Sequence, residues 1–223
     1  MKSNDKFEVE RIACGANNCF IVSQGDNSIL VDTATLKYRG KILAKCVGRD
    51  VKLIFITHGH YDHTQNAAYL AENLKVPVAM HEADVPLLAE MPIPKAHALL
   101  GRVMVAFMRL AKNNVTGKII SLFQNASIPP FKPDILLKDG DYLGEYGVSA
   151  EVVALPGHTN GSIGLKLGET GLIAGDAMMN IVRPQKAPHY LDRAAMEQSF
   201  DKIKNYGGGF TLHFGHGKSV QSP

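Results

Sequence analysis

The chain has 223 residues, 45% of them hydrophobic and 20% charged, which is enough apolar material for one soluble domain with a real core and no disulfide staples. Its 24 basic and 21 acidic side chains leave a net charge of +3, too mild to mark a nucleic-acid binder, and the composition excludes a disordered chain. The three cysteines, Cys14, Cys19 and Cys46, show no CxxC spacing and read as ordinary thiols in a reducing compartment. Residues Met1 to Lys6 lack the apolar stretch of a secretory leader, and no run reaches the roughly 18–20 apolar residues of a membrane span, so a cytoplasmic location is expected.

The first sixty residues read as strands. Glu8 to Ala13 alternates loosely, Cys19 to Ser23 is apolar, and Ser28-Ile29-Leu30-Val31 runs into Asp32-Thr33. Asn17-Asn18 and Gly25-Asp26-Asn27 carry turn chemistry, which predicts a meander. A helix follows from about Thr35 to Val47, ended near Gly48. Val51 to Ile56 is continuously apolar, the mark of a strand buried on both faces. A helix over Gln65 to Leu74 and a short strand over Val76 to Met80 complete the first half.

The second half repeats this grammar. Strands are expected over Val148 to Leu155, Ser162 to Leu167, Leu172 to Ala174 and Phe210 to His213, with a helix over Leu191 to Tyr206. Two similar halves of strands and helices favour an α+β protein, a four-layer αββα sandwich with helices outside two sheets. The expectation is a single domain over residues 1–223.

Residues 86–133 interrupt the pattern as a helical insertion. They hold six basic residues (Lys95, Arg102, Arg109, Lys112, Lys118, Lys132) and one acidic residue, Glu90. The centre, Ala96 to Ala111, is a helix candidate that is apolar nearly all round. It reads as a buried helical hairpin, as a lid over a pocket or homodimer surface, or, being basic and amphipathic, as a membrane-surface helix. Its methionines (Met91, Met104, Met108) would suit an apolar pocket wall.

The chemistry concentrates in Thr57-His58-Gly59-His60-Tyr61-Asp62-His63, directly after the predicted buried strand. Loops at the carboxyl ends of strands are where open sheets place ligands. Imidazoles at i and i+2 can share a metal, and Asp62 and His63 sit further round the turn and can reach a second one. Nitrogen and carboxylate donors without thiolate suit zinc, and also manganese or iron. Three later strand ends supply further donors: His158 in Pro156-Gly157-His158-Thr159, Asp176 in Ala174-Gly175-Asp176, and His216 in Phe214-Gly215-His216-Gly217.

This pattern, His-x-His-x-Asp-His followed by His, Asp and His, resembles the metallo-β-lactamase fold superfamily. The resemblance covers about residues 7–217. It implies that His58, His60 and His158 bind one metal, that Asp62, His63 and His216 bind a second, and that Asp176 bridges them. It also implies that Asp32 orients the ligand loop from outside the coordination sphere. The expected cofactor is two Zn2+, with Mn2+ or Fe2+ as substitutes. Two ions about 3.5–4 Å apart lower the pKa of a bridging water, so a bridging hydroxide would attack and Asp62 would be the catalytic proton carrier.

Within the superfamily the pattern looks closer to glyoxalase II-like thioesterases and lactonases, and it departs from both. Ser162 stands where glyoxalase II commonly has a second His, and Met179 where homoserine-lactone lactonases carry Tyr. The expected activity is hydrolysis of a small-molecule ester, thioester or lactone. A phosphodiesterase or nuclease, or a mononuclear iron sulfur dioxygenase, are the alternatives. The scattered basic residues and the lack of an aromatic stacking run speak against nucleic acid as a partner. Of the other histidines, His81 and His97 read as structural or surface, His213 as a packed strand residue, and His189 as either pocket lining or an ordinary loop residue.

Overall fold

A computed structural model describes residues 6–90, 95, 96, 106, 128–206 and 208–222. Three strands open the chain: β1 (Glu8–Cys14), β2 (Asn17–Gln24) and β3 (Asn27–Val31). They form an antiparallel meander, as the alternation predicts. Asn17 and Asn18 are not turn residues. They are paired strand residues opposite Cys14 and Ala13, and the turn sits at Gly15-Ala16. The correction has a physical reason: Gly15 takes a positive φ of 71°, which glycine adopts without strain.

A 3-10 turn (Leu36–Tyr38) and α1 (Arg39–Cys46) replace the single helix expected over Thr35 to Val47. Then come β4 (Asp50–Phe55), α2 (Tyr61–Thr64), α3 (Ala67–Leu74) and β5 (Val78–His81). A two-residue strand, β6 (Lys95–Ala96), precedes β7 (Ile135–Leu137). The second half holds β8 (Glu151–Ala154), β9 (Ile163–Leu167), β10 (Gly171–Ile173), β11 (Met178–Met179), β12 (Gln185–Lys186) and β13 (His189–Tyr190). It ends with α4 (Arg193–Lys204), β14 (Thr211–His213) and β15 (Val220–Gln221), so the strand expected to be last is followed by another.

Six strands form one sheet in the order β1-β2-β3-β4-β5-β7, and five form the other in the order β15-β14-β10-β9-β8. Both are mixed. β3, β4, β5 and β7 are parallel, and β10 and β14 are parallel within an otherwise antiparallel sheet.

The strands read apolar on both faces because both faces are covered. In β2, Phe20 and Val22 point into the core between the sheets, where they join Val31, Phe55, Val152, Ile163 and Leu165. Their neighbours Cys19 and Ile21 point the other way, against Ile42 of α1 and Leu70 of α3. On the second sheet, Val153, Leu172 and Leu212 face Ile203 of α4. Helix, sheet, sheet and helix are thus the four layers expected from the sequence. Cys14, Cys19 and Cys46, the last residue of α1, are free thiols buried between that helix and the sheet.

The helix expected over Ala96 to Ala111, and with it the lid or dimer surface, lies outside the described residues apart from Ala96 and residue 106. Ala96 belongs to β6, which pairs with β13. No helix among the described residues is long and apolar enough to cross a membrane.

Candidate metal centre

The cluster is assembled where strands from both sheets end. β4 delivers Thr57 to His60 on an extended loop, and α2 begins at Tyr61 with His60 as its N-cap. The His60 carbonyl accepts from the His63 amide at 3.0 Å and the Thr64 hydroxyl at 2.8 Å. One helical turn therefore swings Asp62 and His63 away from His58 and His60, which separates the two donor sets as the spacing suggests.

His158 follows β8, Asp176 sits in a 3-10 turn after β10, and His216 follows β14. Two of these loops depend on glycine. A Cβ on Gly157, whose φ is 128°, would lie 2.2 Å from the Met196 backbone nitrogen. A Cβ on Gly215 would lie 2.2 Å from Asp176 Oδ1.

The structure brings all seven predicted residues together. His58 Nε2 is 3.0 Å and His158 Nε2 is 2.9 Å from His60 Nδ1. Asp176 Oδ2 is 3.2 Å from His216 Nε2 and 3.6 Å from His158 Nε2, and its Oδ1 is 3.6 Å from His63 Nε2. Asp62 Oδ2 is 3.5 Å from His216 Nε2 and 3.9 Å from His63 Nε2. The donor atoms of His58, His60 and His158 fall within one ion's reach, as do those of Asp62, His63 and His216. Asp176 lies between the two groups.

Hydrogen bonds fix which ring nitrogen each imidazole offers. Asp32 Oδ2 accepts from His63 Nδ1 at 2.8 Å and from Thr57 Oγ1 at 2.9 Å, while its Oδ1 accepts from the Thr57 amide at 2.8 Å. Thr57 Oγ1 donates its one hydrogen to Asp32, so it accepts from His58 Nδ1 at 3.1 Å. His158 Nδ1 donates to the His189 carbonyl at 3.2 Å, and His216 Nδ1 to the Ala16 carbonyl at 3.0 Å. In neutral rings these bonds leave the Nε2 lone pairs of four histidines aimed at the cluster. Asp32 itself has a φ of 60°, a left-handed conformation held by its amide donating to the Phe55 carbonyl at 2.9 Å.

Burial divides the electrostatics. It holds His58 and His158 well below the usual imidazole range, and His60 down at about 4, so these three rings are neutral. Burial also opposes charge on His63, but Asp32, Asp176 and Asp62 outweigh it and hold the ring up at about 10. His216 is raised in the same way by Asp176 against burial. Asp176 is buried too, yet His216 and His63 hold its carboxyl well below the usual range.

A metal fits this donor set. The Nε2 atoms of His58 and His158 both turn lone pairs toward His60 Nδ1, and a neutral His60 ring has at most one proton to place there. At least one of the two contacts therefore sets lone pair against lone pair unless a cation sits among the three nitrogens. His63 Nε2 and Asp176 Oδ1 are buried without a hydrogen-bond partner, which a protein tolerates where an ion completes the shell.

Three residues near the site escaped sequence reasoning. Asn17 Nδ2 donates to Asp62 Oδ2 at 2.7 Å. Asn18 Nδ2 donates to the carbonyls of Phe214 at 2.8 Å and Gly217 at 2.6 Å, bracketing His216. Asp84 joins the His58 and His158 loops. The adjacent asparagines were the available signal for the first two, since strand residues with buried amides need partners. Asp84 has no such signal. His189 does lie against the cluster, its ring 4.6 Å from that of His158. His213 is a buried strand residue, bonded to Ser219 Oγ at 2.9 Å. His81 caps a 3-10 turn by accepting from the Ala83 amide, and His97 lies outside the described residues.

Residues 12–216 match the metallo-beta-lactamase superfamily. The chain belongs to that superfamily, and its site is a histidine- and aspartate-rich cluster of the metal-binding kind. It is similar to the probable metallo-hydrolase MJ0888 of Methanocaldococcus jannaschii, 25% identical over 203 residues that cover 84% of this chain and 85% of that one. The crystal structure of the metallo-beta-lactamase family protein TTHA1429 from Thermus thermophilus superposes with a TM-score of 0.70 at 24% identity, covering 97% of this chain and 75% of the other. That of TTHA1623 in a di-iron-bound form gives 0.67 at 22% identity, covering 96% and 94%.

Proposed function

We propose that this chain is a metal-dependent hydrolase with a dinuclear centre that cleaves a small ester, thioester or lactone. The observation that carries the reading is the pairing of two three-donor groups, His58/His60/His158 and Asp62/His63/His216, with the Asp176 carboxyl between them. The di-iron form of TTHA1623 and the description of MJ0888 as a probable metallo-hydrolase support two ions and hydrolysis. Zinc is the proposed native ion, with iron or manganese as the substitutes that nitrogen and carboxylate donors accept.

Divalent ions bound at such a site acidify water and polarise a carbonyl oxygen. The chain's own residues supply the rest. His58, His63, His158 and Asp176 are buried and exclude bulk water from the inner side. His60, Asp62 and His216 remain partly exposed, so substrate enters on their side. Asn17 grips Asp62 Oδ2 and so points the carboxyl toward the site, where it accepts a proton and passes it to the leaving group. The branch we favour is thioesterase- or lactonase-like. Elemental analysis of the purified chain, paired with a screen of thioesters, lactones and phosphodiesters, tests the reading. About two ions per chain and turnover of a carbonyl substrate are expected. One ion or none, or turnover of phosphodiesters alone, overturns it.

A further inference from the structure

The nitrogen group of the centre is split between the two sheets. His58 and His60 follow β4 of the six-stranded sheet, and His158 follows β8 of the five-stranded one. No covalent link sets the distance between these loops. The ring nitrogens nevertheless meet at 2.9–3.0 Å, so something rigid must hold the loops in register.

Asp84 stands at the junction. It lies in the 3-10 turn Glu82–Leu88 after β5, and only 1% of its surface is exposed. Its Oδ2 accepts from the Gly59 amide, between His58 and His60, at 2.8 Å. The same oxygen accepts from Thr159 Oγ1, beside His158, at 2.7 Å. Its Oδ1 accepts from the Gly161 amide at 2.6 Å. One carboxylate therefore bonds both loops at once, through charge-assisted hydrogen bonds in a buried setting.

Two glycines make room for it. A Cβ on Gly161 would lie 2.7 Å from both Asp84 Cγ and Oδ1. A Cβ on Gly59 would lie 2.8 Å from the Asp84 carbonyl oxygen and from Leu87 Cβ. The glycine inside the His58-x-His60 spacing is thus explained by the approach of Asp84 and Leu87.

We propose that Asp84 is a positioning residue for the metal centre: its carboxylate ties the His58/His60 loop to the His158 loop and sets the geometry of those three nitrogens. The inference rests on the metal-binding reading above. Asp84 touches no donor atom, and it acts through Gly59, Thr159 and Gly161. Asparagine at this position offers one accepting oxygen and turns an NH2 group toward an amide donor, so it breaks the clamp while keeping the volume.

The test uses Co2+ alone, added to metal-stripped full-length chain and followed by visible absorption, with thermal melting of the metal-free protein alongside. Asp84→Asn is expected to weaken Co2+ binding about 10- to 100-fold and to change the shape of the d–d band. Gly161→Ala, which keeps the carboxylate but pushes it, is expected to do the same, and it carries the test if Asp84→Asn does not fold. Asp134→Asn is the control. That carboxylate accepts from the Val78 amide at 2.8 Å at the far end of β5, and its loss is expected to lower the melting temperature and leave the cobalt spectrum alone. A folded Asp84→Asn or Gly161→Ala with wild-type affinity and band shape overturns the clamp. A wild-type chain that takes up no Co2+ instead overturns the metal reading, and the clamp with it.

Discussion

The two donor groups of the centre are built on opposite principles. His58, His60 and His158 form a neutral, all-nitrogen set in which burial suppresses protonation and the backbone bonds of Asp84 hold two loops together. In the metal-free chain Asp62, His63 and His216 form a charged set, more open to solvent, in which carboxylates outweigh burial and keep His63 up at about 10. The first is preorganised by packing. The second is preorganised by charge balance, with Asp32 and Asn17 as outer partners. Burial by itself lowers a histidine's proton affinity, and among the described residues that is reversed at His63 and His216, where carboxylates gather around the ring.

Breaking the shared member is expected to cost most. Asp176 lies between both groups and on the proposed function serves both, so Asp176→Ala should abolish turnover and reduce the metal content below about one ion per chain, as read by elemental analysis. His60→Ala removes one nitrogen from the neutral set alone and should also abolish turnover, with one ion retained in the charged set. If either variant keeps near-normal rates, the division into two groups is wrong.

Asp62→Asn should act differently from His60→Ala. It keeps a donor oxygen but loses the proton acceptor, so kcat should fall about 10²- to 10⁴-fold while folding is unchanged. Asn17→Ala, which frees Asp62 without altering its charge, should lower kcat by about tenfold with a smaller change in KM. An Asn17→Ala loss as large as that of Asp62→Asn would mean that Asn17 does more than aim the carboxyl.

Much of this was legible in the chain. Strands such as β2 announce themselves because both faces are packed, Phe20 and Val22 on one side and Cys19 and Ile21 on the other. The donor loops are legible because polar donors beside glycine at strand ends are hard to explain otherwise, as at Gly157-His158 and Gly215-His216. Asp84 was not legible. Its partners include the amides of Gly59 and Gly161, and a glycine marks a close approach without naming the residue that makes it. Asn17 and Asn18 misled because asparagine is a turn former by propensity, and tertiary hydrogen bonds to Asp62, Phe214 and Gly217 override that preference here. The β6–β13 pairing was hidden for another reason: two-residue strands have no periodicity to read.

His213 supplies the internal reference for the comparison, and the smallest effect. It is buried like His63 but without a carboxylate beside it, and burial alone pulls it down to about 4. The unfolded chain binds this proton near the ordinary value of about 6.5, so between about pH 6.5 and 4 the unfolded state holds more protons than the folded one. The stability that depends on neutral His213 is therefore complete above about pH 6.5 and is lost as pH falls toward about 4. His213→Asn keeps a donor for Ser219 Oγ and removes the titration. The stability difference between wild type and this variant, from urea unfolding at about pH 7 and about pH 4, should move against the wild type by up to roughly 3 kcal/mol. The metal ligands are common to both chains and cancel in that difference. A pH-independent difference would show that the His213 ring stays wet in the folded protein, and that it is no carboxylate-free reference for the buried ring of His63.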